Sequence, residues 1–207
     1  MFTGIIQTRG TITAITNTSD DTLAMTIQAP SVLKDVRRGD SIAIDGVCLT
    51  VTDFNAETFT ADVMVQTLNL TSLGTKTAGD EVNVEPAMAA TDRFGGHIVQ
   101  GHVEATGTVL EIEPDNKWTR MRISLPERLA PYLIDQGSIT VNGISLTVAT
   151  VSEPTATEHY FDIFLIPETL AATTLGNAAV GDVVNLETDL LARHIARMIQ
   201  FNTNEEK

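Results

Sequence analysis

Cys48 is the one cysteine among 207 residues, and it stands in "SIAIDGVCLTV" where "SITVNGISLTV" carries Ser145. A thiol and a hydroxyl at matched positions are two forms of one kind of nucleophile. Register decides what surrounds them. Asp45-Gly46 and Asn142-Gly143 each lie between alternating apolar runs. That is the signature of a two-residue hairpin turn, whose residues need positive φ. Such a turn sets Ile44 opposite Val47, Ala43 opposite Cys48, Ile42 opposite Leu49 and Ser41 opposite Thr50. Directly opposed residues share a face. Ile42, Ile44, Val47, Leu49 and Val51 then face a core, and Ser41, Ala43, Cys48 and Thr50 form a second lane. In the later hairpin Ser138 meets Thr147 and Thr140 meets Ser145, with Ile139, Val141, Ile144, Leu146 and Val148 inward. Neither lane holds a charged residue. A solvent-facing sheet would carry some. Small hydroxyls and a thiol suit the wall of a pocket for a polar ligand.

Few other groups suit acid–base work. His102 stands where the earlier copy has Ile5, so a satisfied core histidine is the competing reading. His97 lies an odd number of residues before it. On one strand the two would point to opposite faces, which argues against a shared metal. The "FGGH" turn suggests that His97 bonds locally. Glu187 and Asp189 are two carboxylates able to move protons. Four scattered histidines and one cysteine give neither a disulfide nor zinc-ligand spacing. No phosphate-binding glycine loop or nucleophile-elbow serine is present.

The elements that position these residues are written twice. "GIIQTRGTITAI" from Gly4 matches "GHVEATGTVLEI" from Gly101, and "TLNLTSLGTKTAGDEVNVE" from Thr67 matches "TLAATTLGNAAVGDVVNLE" from Thr169. A self-match at this long period means two sibling domains, joined by "PAMAATDRFGG". Short β-branched runs such as "GTITAI", "AMTIQA", "FTADVM", "EVNVE" and "MRISL" are broken by Gly, Asp, Asn and Pro, which predicts an all-β barrel or sandwich per copy. Helical turns are expected at "PSVLKDV" and "PERLAPYLI". After Glu187, residues Leu190, Leu191, Ile195, Met198 and Ile199 fall at helical spacing. That stripe needs a cover, either its own domain or the same helix of other subunits. The formal charge is −14, from 13 basic and 27 acidic residues. This argues against nucleic acid, whose phosphates demand basic patches. No apolar run long enough to span a membrane and no signal pattern at the N-terminus are found, so a cytoplasmic protein is expected.

Five motifs now stand in order: "MFTGI" at Met1, "GDSIAIDGVCLTV" at Gly39, "GGHIVQGHV" at Gly95, "GSITVNGISLTV" at Gly137 and "IPETLAATTLG" at Ile166. On an internal duplication they resemble riboflavin synthase over almost the whole chain. The resemblance implies two similar six-stranded antiparallel Greek-key barrels in tandem, over residues 1–88 and 97–187, plus a trimerisation helix at 189–201. It implies a homotrimer whose active site lies between the N-terminal barrel of one subunit and the C-terminal barrel of its neighbour. Two molecules of 6,7-dimethyl-8-ribityllumazine bind there. A four-carbon unit passes between them, a transferase reaction giving riboflavin and 5-amino-6-ribitylaminouracil, without metal or organic cofactor. Nothing in the residues speaks to an association with lumazine synthase.

Carried over by motif, the first-barrel site uses Gly4, Ile5 and Ile6 with Cys48, Leu49 and Thr50. The stretch Asp62, Val63, Met64, Val65, Gln66 and Thr67 joins them. The second-barrel site uses Gly101, His102 and Val103, then Gln136, then Ser145, Leu146 and Thr147. Phe164, Leu165, Ile166, Pro167, Glu168 and Thr169 complete it. Phe2, Ser41, Cys48, Thr50, His102, Ser145, Thr147 and Asp189 fall on positions that the family uses at or near the reaction centre. Three residues depart from the family pattern: Gln66 for a glutamate, Gln136 for a lysine and Glu104 for an aspartate. The alternative of the same fold is a non-catalytic lumazine- or flavin-binding antenna protein, which would have no use for both Cys48 and His102.

Overall fold

The computed structural model describes residues 1–204, with side chains as far as Phe201. Twelve strands close into two barrels. The first holds β1 (Thr8–Ser19), β2 (Thr22–Gln28), β3 (Ser41–Ile44), β4 (Val47–Phe54), β5 (Thr58–Met64) and β6 (Glu81–Pro86). The second holds β7 (Ala105–Pro114), β8 (Thr119–Ser124), β9 (Ser138–Val141), β10 (Ile144–Val151), β11 (Tyr160–Leu165) and β12 (Val183–Thr188). All pairings are antiparallel, in the order β1-β2-β5-β4-β3-β6 and its counterpart β10-β11-β8-β7-β12-β9. Four register slips fall at matched places, between Ile12 and Ala14 and between Val51 and Asp53, then between Val109 and Glu111 and between Val148 and Thr150, and β1 has one more between Asn17 and Ser19. Such bulges bend and twist a strand, which lets a sheet curl onto itself.

Both hairpins hold the register that their turns dictate. Ser41 pairs with Thr50 and Ala43 with Cys48, and Ser138 pairs with Thr147 and Thr140 with Ser145. Asp45, Gly46, Asn142 and Gly143 all have φ between 44° and 80°. Ile42, Ile44, Val47, Leu49 and Val51 join Phe59 and Met25 in the first core, and Ile139, Val141, Ile144 and Val148 join Phe161 and Met121 in the second. The 3-10 turns at Pro30–Val32 and Glu127–Tyr132 also fall where the sequence suggested. Two short helices, α1 (Val65–Leu70) and α2 (Pro167–Ala172), were not anticipated.

The two tips meet. A Cβ on Gly46 would lie 2.7 Å from the Gly143 nitrogen, and one on Gly143 would lie 2.7 Å from the Gly46 nitrogen. Asn83 and Asn185, both fully buried, bond across this contact. Asn83 Nδ2 donates to Asn142 O (3.0 Å) and its Oδ1 accepts from Thr174 N (2.8 Å). Asn185 Nδ2 donates to Asp45 O (2.8 Å) and its Oδ1 accepts from Ser72 N (2.7 Å). Beside them, burial pushes the Asp45 carboxyl above its usual range, and Lys76 Nζ, 3.4 Å away, pulls it back.

The segments before each barrel trade places. Phe2 N donates to Val99 O (2.8 Å), and Val99 N donates to Phe2 O (3.2 Å). Ile6 then packs on the second core and Val103 on the first. At the other end, α3 (Leu190–Asn204) is tied down through Arg193, whose Nη2 donates to Gln100 Oε1 at 2.8 Å. Leu191, Ile195, Met198 and Ile199 stay exposed along it, 57–66 % each, so its own domain does not cover that stripe. No helix of the described residues is long and apolar enough to cross a membrane.

Truncating Asn185 to Ala leaves Ser72 N and Asp45 O buried without these partners. Each buried unpaired main-chain group costs about 1–3 kcal/mol. Urea denaturation of Asn185→Ala should therefore show a loss of about 3 kcal/mol. A loss below about 1 kcal/mol would refute the role of this amide in holding the barrels together.

Candidate active site

The traded segments decide which residues meet. Cys48 N donates to Gly101 O (2.8 Å), and Ser145 N donates to Gly4 O (2.8 Å). Gly4 and Gly101 have φ of 76° and 77°, and a Cβ on either would fall 2.6 Å from the Cβ of the residue opposite, Ser145 or Cys48. Only glycine fits such a conformation and approach. The sequence grouped Gly4–Ile6 with Cys48 and Gly101–Val103 with Ser145, each within its own repeat. The structure reverses both pairings. The physical reason is the exchange at Phe2 and Val99, which sends each segment over the other barrel's hairpin.

The lanes are half covered as a result. Ala43 (4 % exposed) and Thr140 (1 %) are buried, while Thr50 and Thr147 remain exposed. Cys48 is half-buried and packs in a small cluster with Phe2, Ala43 and Val99. Ser145 is also half-buried. Leu49, Val63 and Leu165 belong to the cores, so only their main chain faces outward. Leu146 is half-buried against the second core. Asp62, Met64, Val65 and Gln66 are exposed, and a cleft of about 500 Å³ runs along Met64, Val65 and Gln66 beside Asp21. Phe164, Ile166, Pro167 and Glu168 are exposed likewise on the second barrel. A second cleft, of about 550 Å³, takes in Thr3, Ile5 and Glu85. A third, of about 640 Å³, lies between the barrels near Lys76 and Thr174 and holds none of the expected site residues.

Two carboxylates hold the traded segments in place. Glu85, 4 % exposed, accepts from Thr3 N (2.7 Å), Thr3 Oγ1 (2.8 Å) and Gly4 N (3.0 Å). Glu187, 1 % exposed, accepts from Gln100 N and His102 N, both at 2.8 Å. Burial pushes both carboxyls above the usual range, and the N–H donors oppose that shift. Both oxygens of Glu187 are occupied by donors, so it fits as a clamp rather than the acid or base it suggested in sequence. Asp189 is half-buried, and its Oδ1 accepts from Leu191 N (2.9 Å) at the start of α3. A carboxylate there caps the helix. His102 is exposed. Gln136 is exposed too, with a φ of 64° where the first repeat has Gly39.

His97 was missed. Its Nδ1 lies 2.7 Å from Ser145 Oγ, so its side chain reaches the second hairpin rather than its own turn. Burial lowers its pKa, and the negative charge of Asp189 works against that. No periodic signal could have found this contact, because a loop delivers it. The clamps were findable, since "EVNVE" and "VVNLE" both set Asn between two buried apolar residues and Glu directly after them.

Gln at 187 would turn an NH₂ group toward a main-chain N–H. Glu187→Gln should lose about 1–3 kcal/mol and loosen the Gln100–His102 segment. The raised pKa of Glu187 adds a pH signature. The folded chain holds more protons than the unfolded one as pH rises through the window above about 4.5, so this group's contribution to stability falls there. Denaturation of both proteins across that window should show the wild type losing stability faster than the variant. Parallel curves would show that Glu187 carries no such shift.

The comparisons fit this arrangement. The lumazine binding domain matches twice, at residues 3–87 and 100–189. The chain is 47 % identical to the riboflavin synthase of Mycobacterium tuberculosis (strain ATCC 25618 / H37Rv) over 201 residues, covering 97 % of this chain and 98 % of that one. It is 42 % identical to the riboflavin synthase of Bacillus subtilis (strain 168), covering 100 % and 93 %. Among solved structures it resembles LumP in complex with riboflavin, with a TM-score of 0.81 and 26 % identity over 91 % of this chain and 99 % of that one. LumP in complex with 6,7-dimethyl-8-(1'-D-ribityl) lumazine gives a TM-score of 0.79 at the same identity and coverage. With two such domains facing each other across traded segments, the chain belongs to the riboflavin synthase family.

Proposed function

We propose that this chain converts two molecules of 6,7-dimethyl-8-ribityllumazine into riboflavin and 5-amino-6-ribitylaminouracil by moving a four-carbon unit. One observation carries the reading. Each hairpin lane meets the traded segment of the other repeat through its main chain, once at Cys48 and once at Ser145. Two sibling sites of unequal chemistry suit two copies of one substrate in unequal roles. One lumazine lies over Cys48, Leu49 and Thr50, with Gly101–Val103 and the stretch 62–67. The other lies over Ser145, Leu146 and Thr147, with Gly4–Ile6 and the stretch 164–169. Ser41, Phe2, His102, Gln136 and Asp189 border these groups. No metal or cofactor takes part. The methyl on C7 of the lumazine is acidic because its anion spreads into the ring, so a modest base suffices to begin. The likeness to LumP keeps a binding-only antenna as the second reading.

Incubating the protein with the lumazine should produce riboflavin absorbance and fluorescence. Tight binding of a single lumazine per chain with no riboflavin formed would favour the antenna instead.

We further propose a cytoplasmic homotrimer in which the two sites of one reaction centre come from neighbouring subunits. The exposed stripe on α3 supports it. Replacing Leu191 and Ile195 by Glu should reduce the mass measured by light scattering from three chains to one and lower turnover with it. A monomer that keeps full turnover would show that the reaction centre is complete within one chain.

A further inference from the structure

On β11, Phe161, Ile163 and Leu165 are buried, while Phe164 is left 49 % exposed. Trp118, at 45 % exposed, stands beside it. The two rings meet edge-on, with centroids 6.1 Å apart and planes at 81°. Such a contact draws the positive edge of one ring to the negative face of the other and holds both at one tilt. Register places the pair. The β10–β11 ladder starts at Val148 and Ile163. Thr147 and Phe164 lie just outside it, and both are exposed. On its other side Phe164 is paired with Arg120 of β8, whose guanidinium donates to Glu111, Glu113 and Asp162. The side of Phe164 away from Thr147 is thus filled by pinned groups, and the side toward Thr147 has no ladder across it. The first barrel differs at the matched place. Asp62 pairs with Ala24 where Phe164 pairs with Arg120. Two residues back along the same strand, Thr22 stands where the second barrel has Trp118. An exposed carboxylate offers a flat conjugated ring no apolar face.

We propose that Trp118 is a positioning residue that sets Phe164 as an aromatic wall for the ring of the lumazine over the second barrel, so that the second barrel binds the same molecule more tightly than the first. This rests on the placement of one lumazine over Ser145–Thr147 and the stretch 164–169 in the riboflavin synthase reading. A lumazine ring is flat and conjugated, and an aromatic side chain meets such a ring by offset stacking or by edge contact. Fixing a free side chain at the moment of binding costs affinity. Trp118 and the pinned Arg120 fix Phe164 beforehand. The wall touches the ring before and during reaction alike. It therefore adds uniform binding, which shows in KM and leaves the chemical step alone.

The test is calorimetry on the full chain with an 8-ribityllumazine that lacks the C7 methyl and so cannot begin the reaction. The wild type should show two sites of unequal affinity. Trp118→Ala should weaken the tighter site about tenfold and leave the weaker one within about twofold. Phe164→Ala should do the same. Because Trp118 acts through Phe164, the double variant should bind no more weakly than Phe164→Ala alone. Trp118→Phe keeps an aromatic edge and should return the tighter site to within about threefold of wild type. In turnover of the lumazine, Trp118→Ala should raise KM and keep kcat within about twofold. Trp118 is the one tryptophan of the chain, so its emission should be quenched with the midpoint of the tighter site. Equal losses at both sites, or a loss at the weaker one, would overturn the proposal. So would a fall in kcat at unchanged KM, or losses that multiply in the double variant. A change in mass by light scattering at unchanged affinity would also overturn it, since the pair would then be covered by a neighbouring subunit. A wild type that binds no lumazine overturns the parent reading and this wall together. A wild type that fills both sites and forms no riboflavin overturns the parent reading alone. An active wild type whose tighter site is unchanged in Trp118→Ala overturns the wall alone.

Discussion

Two glycines pressed together set the geometry on which the rest depends. Gly46 and Gly143 approach so closely that neither has room for a side chain. Each is also in the left-handed region, at φ of 80° and 77°. Asn83 and Asn185 fix the approach, each bonding main chain of the opposite repeat. These amides are almost fully removed from water, so any partner lost is lost at the full desolvation cost. The barrels therefore have one relative orientation instead of a range. Without it the segments that begin each repeat could not reach the other barrel. The lanes carrying Cys48 and Ser145 would have nothing facing them.

The same logic explains two carboxylates where hydrophobic residues would be expected. Glu85 and Glu187 lie on inward strands beside Val84 and Leu186, yet both are almost wholly buried. A buried charge is expensive unless it is well bonded. Here the donors are main-chain N–H groups of Thr3, Gly4, Gln100 and His102. Those segments turn at a glycine in the left-handed region and have no strand partner along most of their length. The carboxylates replace the missing ladder. Arg193 adds a link from α3, 4.0 Å from Glu187 and 2.8 Å from Gln100, so the helix outside the barrel is coupled to the same segment.

Much of this was legible in the residues. The repeat, the two turns and the hairpin register follow from Asp45-Gly46, Asn142-Gly143 and strict alternation, and the strands pair accordingly. The stripe on α3 was legible because its spacing is helical. What sequence could not give was where the traded segments go. Similarity within a repeat assigns Gly4 to the barrel that follows it, but packing assigns it to the other one. Ile6 and Val103 carry no mark that tells one core from its sibling. The contact of His97 with Ser145 was hidden for the same reason, since a loop delivers the ring across a turn with no period. Leu49, Val63 and Leu165 sit in stretches that the resemblance linked to binding, yet their side chains serve the cores. A motif names a stretch, and alternation decides which of its side chains face outward.

Duplication supplies one frame and leaves the chemistry to the positions where the copies diverge. Cys48 faces Ser145 across that symmetry, and Ile5 faces His102. Outside the lanes the divergence continues. Across β7, β8 and β11 a charged network joins Arg120 and Arg122 to Glu111, Glu113 and Asp162, with Arg122 over the Tyr160 ring at 4.0 Å. It ends at Trp118, set edge-on to Phe164 with centroids 6.1 Å apart. The matching face of the first barrel has Thr26 bonded to Thr60 at 3.0 Å, with Asp62 where the second has Phe164. Asp162 is buried and both arginines are half-buried, so the network is part of how this face packs rather than a set of loose surface pairs. On the proposed function, a symmetric pair of sites would bind two identical molecules identically and give neither a reason to give up carbon to the other. On that reading, the residues that break the symmetry are where the direction of transfer would be set.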